Sequence, residues 1–275
     1  MSKMIALGTF DGLHVAHHAV LRGADAVLLF REHPQKHLKG QAPPKLLSNE
    51  ARATKLSNAG IGLLYIDFEE IAALAPEQFF SEILRRRFGA TGLRCGHNYR
   101  FGAHAAGDVN LLKKLCAKHR MKLYVVPKVV FQGEAVSSSR IRESLQNGKI
   151  EQANAMLCRA FGYDFEVMRG AQIGRTIGTP TLNQHFPAGF VVPRDGVYVS
   201  RTYVNKQWRP SITNIGVRPS LDGKELRSET HIPGFDGDLY GQHVPVRLLK
   251  YIREERKFDN LEGLKKQIAK DLAAL

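Results

Sequence analysis

The sequence predicts two units of different class: a doubly wound α/β domain, then an antiparallel β-barrel or sandwich with a terminal helix. Three observations predict this. Residues 1–158 alternate short apolar runs with amphipathic stretches, residues 159–275 turn to strand-length segments punctuated by Gly, Pro and Asn, and the chain ends on Leu261, Leu264, Ile268 and Leu272 at helical spacing. A length of 275 residues also exceeds one typical domain of about 100–200 residues. The boundary is expected between 158 and 159.

In the first unit, apolar runs at 4–7, 26–30, 62–66, 93–95 and 122–126 read as strands, and each except the second is soon followed by a helical pattern. Helices are expected at 14–22, at 49–58, at 76–88 with Pro76 in the first turn, and at 108–120 with Asp108 as cap. A further helix spans 138–147, with a serine cap and Gly148 just beyond its end, and a last short one runs to about 157. The unpatterned stretch 31–47 is long for a compact domain and is expected to be a mobile active-site loop. In the second unit, strands are expected at 163–168, 196–204, 210–215, 228–232 and 244–252.

Composition narrows the class. Hydrophobic residues are 43% and charged residues 24%, as in ordinary globular proteins, and no apolar run is long enough to cross a bilayer. The start lacks the apolar core and cleavage site of a signal peptide, so a soluble, cytoplasmic protein is expected. Cys95, Cys116 and Cys158 are far apart, form no C-x-x-C pair and read as buried small hydrophobes. The net charge of +14 points to anionic partners. It divides as 22 basic against 13 acidic residues in 1–158, which is +9, and 18 against 13 in 159–275, which is +5. That even spread, without an RNP motif or aromatic stripe, argues against a nucleic-acid partner, and a soluble surface rich in Lys and Arg accounts for the charge as well as any functional reading does.

The most informative segment is G-T-F-D-G-L-H-V-A-H, Gly8 to His17, between the first strand and the first helix. A glycine at the C-terminal end of a parallel strand lets the chain turn close to a ligand, and the helix N-terminus offers free N–H groups to phosphate. His14 and His17 fall on one helical face, where two imidazoles could stabilise charge on a reacting triphosphate. A bare H-x-x-H, taken alone, is more often a pair of surface histidines near a turn. A second helix opening, S-S-S-R-I-R from Ser137 to Arg142, supplies hydroxyls and a forked guanidinium that could close a phosphate site.

These two segments, with F-R-E-H-P (30–34) and G-H-N-Y-R-F-G (96–102) between them, resemble the FAD synthetase branch of the nucleotidyltransferases. The resemblance implies a Rossmann-like parallel sheet with helices on both faces. It implies that Gly8, Phe10, Asp11, His14, His17, Ser138 and Arg142 handle ATP, and that Asn98, Arg100 and Phe101 lie near FMN. Ala16, Glu32, Asn98 and Ser139 stand where the family has glycine, proline, aspartate and threonine. Asn98 loses a charge but keeps an acceptor, which favours a positioning role over a metal-binding one.

In the second unit, G-R-T-I-G-T-P-T-L-N (174–183) reads as a loop able to wrap phosphates, with Thr181 and Asn183 offering oxygen to Mg²⁺. Read alone it is equally an ordinary turn-rich connection. Glu229 in S-E-T-H-I could act as a base toward a primary hydroxyl, or be an exposed strand glutamate. With N-I-G-V-R-P-S (214–220), D-L-Y-G (238–241) and I-R-E-E-R-K-F (252–258), the set closely resembles riboflavin kinase. The resemblance implies a six-stranded antiparallel Greek-key barrel with a terminal helix. It implies Glu229 as base and a flavin contact, Thr181 and Asn183 at the metal, Gly174, Arg175, Gly178 and Thr181 at ATP, and Arg253 near the flavin. Thr179 and Leu182 replace the family's phenylalanine and alanine.

The likeness spans residues 4 to 272 and matches the bifunctional bacterial riboflavin kinase and FAD synthetase family. It implies that riboflavin and ATP give FMN, and that FMN and ATP give FAD and pyrophosphate. Mg²⁺, small-molecule substrates and a monomer or weak homo-oligomer without membrane or nucleic-acid partners are expected. The alternatives are a kinase whose adenylyltransferase half is weakened by the four departures, and an RNA-binding protein reusing the fold.

Overall fold

The structure is a computed structural model and describes residues 3–170, 178–220, 223–256, 258 and 260–275. It divides into two compact units, Met1–Ser138 and Ser139–Leu275.

The first unit is built on five parallel strands: β1 (Met4–Leu7), β2 (Ala26–Phe30), β3 (Gly62–Ile66), β4 (Gly92–Gly96) and β5 (Lys122–Val126), in the order β3-β2-β1-β4-β5. Its helices are α1 (Val15–Leu21), α2 (Pro34–Lys39), α3 (Asn49–Asn58), α4 (Phe68–Ile71), α5 (Pro76–Gln78), which runs on as a π-helix over Phe79–Arg87, and α6 (Val109–Lys118). A two-stranded hairpin, β6 (Val130–Phe131) and β7 (Glu134–Ala135), follows the sheet. Alternation along each strand sorts the core into two layers, as a sheet covered on both faces requires. Ile5, Leu7, Leu28, Leu93 and Cys95 pack with Phe80 and Leu84 of the π-helix and Leu112 and Cys116 of α6. Ala6, Val27 and Leu29 pack with Val20 and Leu21 of α1 and Leu56 of α3.

Two local features differ from the sequence reading. The 31–47 stretch contains α2, capped by His33 Nδ1 accepting from Gln35 N at 3.2 Å, with Pro34 at the helix start and Gly40 in the left-handed region at its end. It buries no side chain, so no apolar period reveals it. The helix expected at 76–88 forms, but Phe88 N bonds Ile83 O at 3.0 Å, five residues back.

The second unit begins with α7 (Ser138–Gln146) and α8 (Ile150–Leu157), so the structural division falls ahead of residue 158. Asn154 ties α8 to the barrel, donating to Leu248 O at 2.9 Å and accepting from Phe161 N at 2.6 Å. Cys158, expected to be buried, is exposed: it ends α8 at φ 53, in the left-handed conformation that turns the chain away from the helix.

The barrel closes in the order β10-β11-β12-β9-β8-β13, with β8 (Phe161–Met168), β9 (Thr181–His185), β10 (Gly196–Val204), β11 (Gln207–Ser220), β12 (Gly223–His231) and β13 (His243–Arg253). Much of its interior is hydroxylic rather than apolar. Thr202, Ser211, Ser200, Thr213 and Thr230, at most 1% exposed, form one chain of side-chain hydrogen bonds, each 2.8 Å. The terminal helix α9 (Leu261–Leu272) forms with Asn260 as cap, its side chain accepting from Gly263 N at 2.8 Å. Its buried residue is Asp271, whereas Leu261 is 57% exposed.

Candidate active sites

In the first unit β1 delivers its chain end to a tight turn before α1. Phe10, Gly12 and Leu13 all have positive φ, and a Cβ on Gly12 would meet Leu46 Cδ1 at 2.8 Å. Backbone strain of this kind persists where surrounding structure fixes it, and the segment behind the turn does so. Leu46 N donates to Asp11 Oδ1 at 3.2 Å, Arg52 Nη1 donates to Thr9 O at 3.0 Å, and Ser138 Oγ donates to Asp11 O at 2.9 Å. Burial lowers the Arg52 guanidinium from its usual value, with Asp11 and Glu50 opposing.

His14 caps α1: its Nδ1 accepts from His17 N at 3.3 Å, which leaves the ring proton on Nε2. The two imidazoles stack at 3.6 Å and 16°. Burial, then the positive fields of His14, His18 and Arg52, hold His17 well below the ordinary histidine range. It is therefore neutral near pH 7, with a buried Nδ1 that has no hydrogen-bond partner among the described residues.

A cavity of about 890 Å³ collects these groups. Gly8, Phe10, His14 and His17 line it from the turn, His33 and Pro34 from the second motif, and Asn98, Arg100 and Phe101 from the third. Ser137 and Ser138 line it from the fourth. Phe101 is 5% exposed and stacks on Tyr99 at 5.8 Å, while Asn98 and Arg100 are exposed. Asp11 does not join this wall. It lines a smaller cavity of about 210 Å³ with Arg31, Lys45 and Arg52, its carboxylate taken by the brace to Leu46. Arg142 is buried on α7, in the second unit.

In the barrel, Asn183 pairs in register with Glu229, and Glu229 with Asn214. Directly opposed residues share a face, with Cβ atoms about 4.5–5.5 Å apart, so the three side chains form a row across β9, β12 and β11. Thr181 and Asn183 lie on a strand, where the sequence reads as a loop, because the inward partners of that strand include a polar residue, Gln184, which hides the alternation. Asn183 is 8% exposed, and its Nδ2 donates to Thr181 O at 3.4 Å. Hydroxyl, amide oxygen and carboxylate are hard donors that fit Mg²⁺. A cavity of about 60 Å³ beside them is lined by Thr181, Thr230 and Asp236 to Tyr240. Gly178 has φ 77, a Cβ there would meet no atom within 4 Å among the described residues, and Gly174 and Arg175 lie outside them.

Arg253 is committed to protein partners. Its Nε donates to Asp271 Oδ1 at 3.0 Å, Nη2 to Asp271 Oδ2 at 2.6 Å, and Nη1 to Glu254 O at 3.0 Å. Sequence reasoning missed four residues that shape the two sites: Leu46, Arg52, Asn214 and Asp271. Asn214 stood within a quoted motif, whereas the others carry no local signal, since their partners are 35, 43 and 18 residues away.

Two family models match the chain, FAD synthetase over residues 1–140 and riboflavin kinase over 157–275. The bifunctional riboflavin kinase/FMN adenylyltransferase of Escherichia coli K12 is 31% identical, with 98% of this chain and 90% of the relative covered, and that of Bacillus subtilis 168 shows the same identity and coverage. A crystal structure described as a macrolide-efflux protein from Streptococcus pneumoniae superposes with a TM-score of 0.90 at 29% identity, covering 99% of this chain and 93% of the other. Among the described residues, no helix here is long and apolar enough to cross a membrane. With both models matched in order and relatives similar along nearly the whole chain, this protein belongs to the bifunctional riboflavin kinase/FMN adenylyltransferase family.

Proposed function

We propose that the chain makes FMN from riboflavin and ATP in residues 159–275, and FAD from FMN and ATP in residues 1–158. The observation that carries the adenylyltransferase half is the single cavity into which all four motif segments open. There an FMN phosphate oxygen attacks the α-phosphorus of ATP, the bond to the bridging oxygen breaks, and pyrophosphate leaves. His14 and His17 donate hydrogen bonds to the phosphates, with Gly8 and Phe10 shaping the turn around them. Ser138 holds a remaining oxygen, the resemblance adds Arg142 as a further ATP contact, and Asp11 braces the turn from behind. Asn98, Arg100 and Phe101 hold FMN. Preorganised donors of this kind matter most where charge develops.

In the kinase half, Glu229 takes the proton of the terminal ribityl hydroxyl as its oxygen attacks the γ-phosphorus and ADP departs. The register of Glu229 against Asn183 supports this, since it sets a base beside oxygen ligands. Thr181 and Asn183 would hold Mg²⁺, which neutralises phosphate charge when bound. Gly174, Arg175 and Gly178 complete the ATP contacts. A cytoplasmic monomer or weak homo-oligomer with small-molecule substrates, and no nucleic-acid partner, completes the reading.

Incubation with riboflavin, ATP and Mg²⁺, resolved by fluorescence-detected chromatography, tests it. Glu229→Gln is expected to lower FMN formation about 10²- to 10⁴-fold, the usual worth of a general base, while supplied FMN still becomes FAD. His17→Ala is expected to do the reverse. Loss of both activities from either folded variant refutes the division of labour.

A further inference from the structure

The cavity of about 210 Å³ in the first unit adjoins the large one, with Thr9, Phe30, His33 and Pro34 lining both. It is smaller than the roughly 300 Å³ at which pockets for whole drug-sized ligands begin, so it suits a fragment of a substrate rather than a nucleotide or a flavin. The large cavity has two Lys or Arg side chains in its wall, Arg100 and Lys128, whereas the small one has four, Arg31, Lys36, Lys45 and Arg52, against Asp11 and Glu32. Positive charge is therefore concentrated in the small cavity. Two of its four cations are already paired: Lys36 Nζ lies 2.7 Å from Glu32 Oε1, and Arg31 lies 3.5 Å from Asp67 and over the Tyr65 ring at 5.3 Å. Lys45 is exposed and forms no hydrogen bond or ion pair among the described residues. Arg52 spends its Nη atoms on neutral acceptors, Thr9 O at 3.0 Å and Asn49 Oδ1 at 3.3 Å, and its buried Nε has no hydrogen-bond partner among the described residues. Burial lowers this guanidinium even with Asp11, Tyr65 and Glu50 opposing, so the charge of Arg52 is incompletely compensated. Leu47, Asn49 and Arg52 also bring the start of α3 to the cavity, and the N–H groups of a helix start favour an anion.

We propose that this cavity is the subsite for the pyrophosphate half of ATP: Lys45 and Arg52 hold the β- and γ-phosphates while the α-phosphorus stays in the large cavity, and they keep pyrophosphate after AMP has passed to FMN. This rests on the adenylyltransferase reading of the first unit. Thr9 belongs to both walls, and its carbonyl is the one that Arg52 grips, so the cation is fixed to the turn beside the reacting bond. Charge that builds on the departing oxygens then meets a preorganised donor.

The test uses the full chain and follows FAD formation from FMN and ATP, then the reverse reaction, in which pyrophosphate attacks the AMP phosphorus of FAD and releases ATP and FMN. Lys45→Met is expected to raise the KM for ATP and the KM for pyrophosphate each about tenfold, the usual worth of a hydrogen bond to a charged group. Lys45→Glu is expected to raise both about a hundredfold, because it sets like charge against the phosphates. The KM for FMN and the inhibition constant of AMP, which lacks the two outer phosphates, are expected to stay within about twofold in both variants, as for independent sites. Arg52→Lys keeps a charge but gives up the fork, and is expected to shift the pyrophosphate KM in the same direction; should it fail to fold, the exposed Lys45 carries the question. If AMP weakens in proportion to pyrophosphate, the cations act only through the general field of the unit and the inference fails. Unchanged KM values for ATP and pyrophosphate overturn it as well. So does orthophosphate that inhibits the parent without competing with ATP and loses that inhibition in Lys45→Met, which assigns the cavity to free phosphate. A parent protein that makes no FAD from supplied FMN would instead refute the adenylyltransferase reading itself.

Discussion

The two units solve the same problem, holding phosphate-handling groups still, by opposite means. The parallel sheet is sealed by apolar side chains on both faces, with Ile5, Ala6, Val27 and Leu93 fully buried, and its candidate residues sit on turns and helix starts beyond the strand ends. The barrel instead carries Asn183, Glu229 and Asn214 on the strands themselves, and fills much of its interior with a chain of hydroxyls. Dispersion and burial tolerate small shifts of a packed side chain, whereas hydrogen bonds fix neighbouring strands relative to one another at defined distances. A site on loops needs a rigid base beneath it. A site on strand faces needs a fixed register, and a cross-strand hydroxyl chain supplies one.

That contrast predicts which unit fails for which change, and each unit carries its own activity as the readout. The largest effect is expected for Phe80→Ala. Phe80 is fully buried against the sheet, and removing it should cost about 3–5 kcal/mol, transfer plus cavity. In a urea titration FAD formation should collapse early while phosphorylation persists. Thr213→Val is the reciprocal change. It keeps volume but deletes the hydroxyl bonded to Ser200 and Thr230, which should cost about 1–3 kcal/mol by leaving buried partners unsatisfied. Phosphorylation should then fail at lower urea with FAD formation untouched. If Thr213→Val proves neutral, the hydroxyls only fill space and the contrast fails.

The fold was legible because its signals are local. The βα alternation of the first half, Pro76 at a helix start and Asp108 accepting from Leu111 N at 2.8 Å are all visible within a few residues. The barrel strands were legible wherever apolar residues alternate with polar ones, as in β10 and β13. Strand β9 was hidden because Gln184 points inward, its Nε2 donating to Phe165 O at 2.6 Å and Val244 O at 2.8 Å. The motifs likewise named the walls of the large cavity. They could not report that the Asp11 carboxylate turns away to Leu46 or that Arg253 is taken by Asp271, since both facts depend on partners brought together only by folding.

The smallest predicted effect concerns pH, and it again separates the units. Burial is the largest cause lowering the folded values of His17 and His119, both in the first unit. A histidine held neutral in the native state binds its proton more readily when unfolded. Its contribution to stability is therefore fully present above 6.5, and is lost progressively as pH falls from 6.5 toward the lowered folded value. FAD formation should thus become more urea-sensitive as pH falls below 6.5, with the urea dependence of phosphorylation changing less. His17→Phe removes one titrating group and should flatten that dependence in the first unit, read by a spectroscopic urea midpoint because this variant lacks an imidazole proposed to act on the phosphates. An equal acid sensitivity in His17→Phe would assign the effect to His119 or to the carboxylates of the unit instead, and would remove the histidine pair from the account of what distinguishes the two halves.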